Sequence, residues 1–117
     1  MTIPADPAAR DRAAAWLALV DAGESAESWA AAGVNFRAAV SPDAWGDQLR
    51  AVRAPLGPLT SRALAVEQQL NGLPGAPPGA YVVQQYHSVY DARKAVVETL
   101  TLQREDGDWR VVGYFIR

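Results

Sequence analysis

The dipeptide Asp106-Gly107 constrains this chain more than any other feature. It lies between AVVETLTLQRE (95–105) and DWRVVGYFIR (108–117), two runs that alternate in polarity. Asp-Gly as a two-residue loop is a strong hairpin signal, because both turn positions need positive φ. It pairs Glu105 with Asp108, and the remaining pairs follow by counting. Leu102 is then expected opposite Val111, Leu100 opposite Gly113, Thr99 opposite Tyr114 and Glu98 opposite Phe115. One face carries Val96, Glu98, Leu100, Leu102, Trp109, Val111 and Phe115, and is the face for helices to cover. The other carries Val97, Thr99, Thr101, Gln103, Arg110, Val112, Tyr114 and Ile116.

YVVQQYHSVY (81–90) and the turn residues DARK (91–94) precede this hairpin and complete a three-stranded antiparallel meander. A loop of two or four residues within Asp91–Lys94 gives one pairing, with His87 opposite Glu98, Gln85 opposite Leu100 and Val83 opposite Leu102. The helix-facing side then collects Tyr81, Gln85, His87 and Glu98. A slip of one residue would send the first three to the other face, since strand side chains alternate with period two.

Upstream the period is helical. Asp6-Pro7 and Ser41-Pro42 each read as an N-cap followed by proline at the first helical position. Helices are expected over about 7–22, 25–40 and 42–54, with Ser25 capping the second. Strands are expected over about 60–70, 80–90, 95–105 and 108–117. Residues 60–70 could also form a helix, because Ala, Glu and Gln favour one; Leu64, Val66 and Leu70 on one face support the strand. NGLPGAPPG (71–79) is a rigid connection without phosphate-loop spacing. The 117 residues suit a single domain with one core.

Composition excludes several functions. The 11 basic and 13 acidic residues nearly cancel and form no basic patch, which argues against nucleic acid as a partner. No apolar run approaches a membrane span. The chain has no cysteine, hence neither disulfide nor thiolate chemistry. A single histidine argues against a metal site, which usually needs several such ligands, and no cofactor is implied. Residues 1–12 hold no signal-peptide core, so the chain as written reads as cytoplasmic; a trimmed leader would make it periplasmic.

Glu98 is the leading candidate for chemistry. A carboxylate among Val96, Leu100 and Phe115 must be paired, hydrogen-bonded or protonated. Its expected partner is His87, Arg53 or Arg62. An acid–base pair of Glu98 and His87 is one reading, and a structural ion pair is the other. Ligand contacts are expected from Glu98, Arg53, Tyr81, Gln85 and Trp45. Trp16, Trp29, Trp45 and Trp109 sit at core spacing. Tyr86, Tyr90, Tyr114 and Ile116 are expected on the mixed face, as a surface for a homodimer.

Several segments carry a family resemblance: WLALVDAG (16–23), FRAAVS (36–41), VRAPLG (52–57), LPGAPPGAYVV (73–83), AVVETLTL (95–102) and DGDWRVVGYFIR (106–117). In this order they resemble the bacterial family catalogued as domain of unknown function 4019. The resemblance implies an α+β fold, with three N-terminal helices on a four-stranded antiparallel sheet, similar to cystatin-like or nuclear-transport-factor-like shapes. It implies no activity. Arg53 and Glu98 match family motif positions, and His87 does not. Many members carry an export signal.

Three functions are therefore weighed. The first is a non-enzymatic ligand- or protein-binding module, with a small apolar pocket between helices and sheet near Glu98. The second is an isomerase- or dehydratase-type enzyme in which Glu98 or His87 moves a proton and Tyr81 or Arg53 stabilises charge. The third is a structural accessory domain.

Overall fold

Proline and an oxygen-bearing cap start the two longest helices. In a computed structural model describing residues 5–117, α1 spans Pro7–Asp21 and α4 spans Pro42–Arg53. The Asp6 carboxylate accepts from the Ala8 amide at 3.0 Å, and the Ser41 hydroxyl from the Ala44 amide at 3.2 Å. Each cap satisfies an amide that the first helical turn leaves without a partner.

The expected helix over 25–40 is two helices, α2 (Ser25–Ala31) and α3 (Val34–Ala39), so the described residues form four α-helices and not three. The break falls at Ala32-Gly33, where both residues are extended. Here the Gly33 amide donates to the Val111 carbonyl at 2.7 Å. A Cβ on Gly33 would lie 2.8 Å from Val112 Cγ1 and would also run into Glu105 Oε2. Only glycine lets the backbone approach the sheet this closely. Ser25 is not the cap of α2 but its first residue.

A 3₁₀ turn (Ala54–Leu56) leads into the sheet: β1 (Leu59–Leu70), β2 (Tyr81–Tyr90), β3 (Arg93–Glu105) and β4 (Asp108–Ile116), antiparallel in the order β1-β2-β3-β4. Residues 60–70 are thus strand. Asp106 (φ 51°) and Gly107 (φ 85°) form the predicted turn, and Glu105 faces Asp108.

Four register shifts, two of them in β1, then reset which side chains face the helices. In β4 the pairing holds to Leu102–Val111 and shifts beyond it, so Leu100 faces Tyr114 and Glu98 faces Ile116. One extra residue on one strand reverses the alternation past it. Tyr114 therefore joins the helix side, while Phe115 turns out and is 51% exposed. Another shift near Val89 places Tyr86 opposite Glu98, with Ser88 opposite Val96. The turn behind it is held from outside, by the Asp91 amide on the Pro58 carbonyl and the Ala92 amide on the Leu56 carbonyl, both at 2.9 Å. In β1 a shift between Leu64 and Val66 separates these two residues, which do not share a face.

The core lies between the helices and the inner sheet face, where Ala9, Ala13, Trp16, Leu17 and Val20 of α1 meet Val82, Leu100, Leu102 and Val111. Each tryptophan ring also ties two segments by a hydrogen bond. Trp16 donates to the Ser28 carbonyl, Trp45 to the Ser28 hydroxyl, Trp29 to the Val40 carbonyl and Trp109 to Asp6. Trp45 stacks edge-on with Phe36 at 5.0 Å, and Trp16 with Tyr114 at 5.4 Å. Such pairs add about 0.5–1.5 kcal/mol each beyond area burial. A second apolar cluster gathers Leu56, Tyr90 and Val96 with Leu59 and Ile116.

Candidate functional site

Glu98 sits between these clusters and has no exposed surface. Arg62 approaches from β1 as a bidentate partner, with Nε 2.8 Å from Oε1 and Nη2 3.1 Å from Oε2. Two inserted-residue effects supply the rest. The shift in β2 puts Ser88 and Tyr90 on this side, and the bulge in β4 adds Tyr114. All three hydroxyls donate to Glu98, Tyr90 at 3.0 Å. The carboxylate thus accepts five hydrogen bonds.

The network continues outward. Arg62 reaches Asp21 at the end of α1 with Nη1 (2.8 Å) and Nη2 (2.9 Å), and Arg53 Nη2 lies 2.9 Å from the same carboxylate. Arg53 also lies over the Tyr90 ring, 5.1 Å from its centroid. Two cations balance two anions, and the group ties two helices to all four strands.

Electrostatics keep this arrangement ionised. Burial alone would push the Glu98 carboxyl up; the bonds from Arg62, Ser88 and Tyr114 and the Arg62 charge outweigh it and lower it. Asp21 is likewise lowered, burial being overcome by Arg62 and Arg53. Burial would lower the Arg62 guanidinium, yet Asp21 and Glu98 raise it. Burial and the Glu98 charge push the Tyr114 hydroxyl far up, so it remains a donor.

His87 is not brought to Glu98. It faces Val97 across the strands, exposed on the opposite sheet face. Gln85 shares that face, opposite Thr99. Tyr81 is buried there, its hydroxyl donating to the Pro77 carbonyl at 2.6 Å. Trp45 stands in the aromatic core and borders a groove of about 150 Å³ with Tyr114 and Phe115. Tyr86, Tyr90, Tyr114 and Ile116, expected on the outer face, line up on the inner one, opposite or beside Glu98 and Leu100.

A second polar chain runs parallel to the first. Arg10 pairs with Glu67 at 2.5 Å, the Gln84 amide donates to Glu67 at 2.7 Å, and Tyr86 donates to Gln84. Burial pushes the Tyr86 hydroxyl up to about 12.

Glu98 lines none of the five clefts found among the described residues. A cleft of about 750 Å³ lies where α1 ends beside α4 and the 3₁₀ turn. Val20, Leu49, Pro58 and Leu59 give it an apolar lining, and Asp21, Arg50 and Arg53 give it charge. Asp21 and Arg53 thus belong both to the cleft wall and to the Glu98 network. Sequence reading passed over Asp21, although an acid at a helix C-terminus opposes the helix dipole and calls for a cation. It also missed Tyr114, although a glycine inside a strand, Gly113, marks a bulge.

Among the described residues, no three histidine, aspartate or glutamate side chains are grouped to hold a metal, and no helix is long and apolar enough to cross a membrane. No curated protein and no solved structure matches the chain. Residues 12–114, which include Asp21, Arg53, Arg62, Ser88, Tyr90, Glu98 and Tyr114, match the family model described as Protein of unknown function (DUF4019). By that match the chain belongs to the DUF4019 family.

Proposed function

We propose that this domain is a non-enzymatic binding module whose ligand enters the cleft between α1, α4 and the 3₁₀ turn. The ligand has an apolar body and an anionic head. The observation that carries this reading is the cleft of about 750 Å³, with Arg50 and Arg53 beside Asp21 on a largely apolar wall. A concave apolar site with a few polar groups is the usual form of a small-molecule pocket. Arg53 spends one nitrogen on Asp21 and a second, at 3.4 Å, on Tyr114; its Nε makes no hydrogen bond among the described residues. The sealed, five-fold hydrogen-bonded Glu98 favours binding over proton transfer, because a general base must reach its substrate. The order of elements, helices and then an antiparallel meander, supports reading the shape as cystatin-like or nuclear-transport-factor-like.

The test is a protein-observed NMR titration with sodium decanoate, an apolar chain with a carboxylate head. Amide shifts clustered on Leu49, Gly57 and Leu59, weakened about tenfold in affinity by Arg50→Ala, are expected, one lost charged hydrogen bond being worth about 1.5 kcal/mol or more. Arg50 is exposed and its one ion pair among the described residues is with Asp47, so this variant folds normally. Shifts elsewhere, or none at millimolar decanoate, would reject the cleft as the site.

A further inference from the structure

We infer that the outer face of the sheet is the docking surface for a second copy of this chain. The residues that face away from the helices are Ser61, Ala63, Val66 and Gln68 in β1, and Val83, Gln85, His87 and Val89 in β2, to which β3 adds Ala95, Val97, Thr99 and Thr101. No acidic or basic side chain other than His87 stands among them, in a protein one fifth of whose residues are charged. Phe115 extends the face onto β4 and, like Val66, is about half exposed. The bordering charges, Glu105 and Asp108 at the hairpin end and Arg110 and Arg117 on β4, stand at the margin, and Arg117 lies over the Phe115 ring at 5.7 Å.

The charge pattern selects the occupant. A partner recognised by its own charge finds nothing complementary here. In a two-fold dimer each patch meets itself, so every charge near the axis would face its own kind; an uncharged face avoids that cost. Size agrees. Four strands about 4.8 Å apart, each with about eight residues at roughly 3.3 Å, outline an area of roughly 500 Å² before side-chain relief. The 71–79 loop walls one end, where Tyr81 hydrogen-bonds Pro77, and adds to that footprint. Together they approach the roughly 800 Å² per partner of a standard interface. Two sheets stacked face to face at about 10 Å form a common arrangement.

Sedimentation velocity on the full chain, from about 5 to 500 µM, tests the inference. A concentration-dependent dimer is expected, with Ala63→Lys and Val97→Lys each raising its Kd at least about a hundredfold, as like charges facing one another cost several kcal/mol. Ala63 is exposed, so its lysine variant folds even if Val97→Lys does not. Val52→Lys, at an exposed apolar site on α4, should leave the dimer intact. A monomer at every concentration overturns the inference, and so does a dimer that Ala63→Lys leaves unchanged. The outcome is independent of whether decanoate binds the cleft.

Discussion

The two faces of one sheet invert the usual distribution of charge. The inner face, packed on helices, holds Arg62, Glu67 and Glu98 among aromatic rings. The outer face is more accessible and carries almost no charge. The difference shows that burial alone does not decide where an ion belongs. A buried charge persists where fixed partners satisfy it. Glu98 has a bidentate arginine and three hydroxyls. Nothing on the outer face offers such a cage, and there the side chains are neutral.

The largest test of this contrast is Arg62→Met. It should cost about 3–5 kcal/mol in urea unfolding, because Glu98 would be left buried with no cation. A loss below about 1 kcal/mol would mean that hydroxyls suffice and that the ion pair is incidental.

Tyr114→Phe is the next step down. It removes one hydroxyl from the carboxylate and keeps the ring on Trp16, with an expected loss of about 1.5–3 kcal/mol. An unchanged midpoint would place Tyr114 outside the network in solution.

Acid should act on the Glu98–Asp21 network. Glu98 and Asp21 are both lowered in the folded state, so the unfolded chain binds more protons on acidification. Their stabilisation is full above the ordinary carboxylate range near about 4, and is lost as pH falls through the lower folded values. Each contributes at most about 1.4 kcal/mol per pH unit in that window. Unfolding free energies at pH 7, 5, 4 and 3 should fall only over the last steps, and more gently in Arg62→Met.

The smallest effect belongs to the outer face. His87→Gln should change monomer stability by less than about 0.5 kcal/mol, since the side chain is exposed and makes no hydrogen bond among the described residues. A larger loss would show that the outer face carries structure of its own.

How far the sequence could be read differs between elements and faces. Glu98 on the helix-facing side was accessible from alternation and the Asp106-Gly107 turn, and Arg62 stood only as one of three alternative partners with His87 and Arg53. The other partners were not. Ser88, Tyr90 and Tyr114 sit past irregularities, where one inserted residue sends every later side chain to the opposite face. His87 was paired with Glu98 by the unslipped register and stands on the other side of the sheet. The cleft depends on how α1, α4 and the 3₁₀ turn meet, and no local pattern encodes that meeting.

By itself, the sequence determined the helix starts at Asp6-Pro7 and Ser41-Pro42, the hairpin at Asp106-Gly107, the antiparallel meander and the burial of a carboxylate within it. These follow from local sterics, caps and polarity with a fixed period. The tertiary structure decided the break at Gly33, the bulges and the company Glu98 keeps. Those features rest on contacts between distant segments. The Gly33 amide finds the Val111 carbonyl at 2.7 Å, and the carbonyls of Leu56 and Pro58 hold the 91–92 turn. Each bulge costs a ladder pairing and is kept only because packing on the far side compensates for it, a balance that exists only in the folded chain.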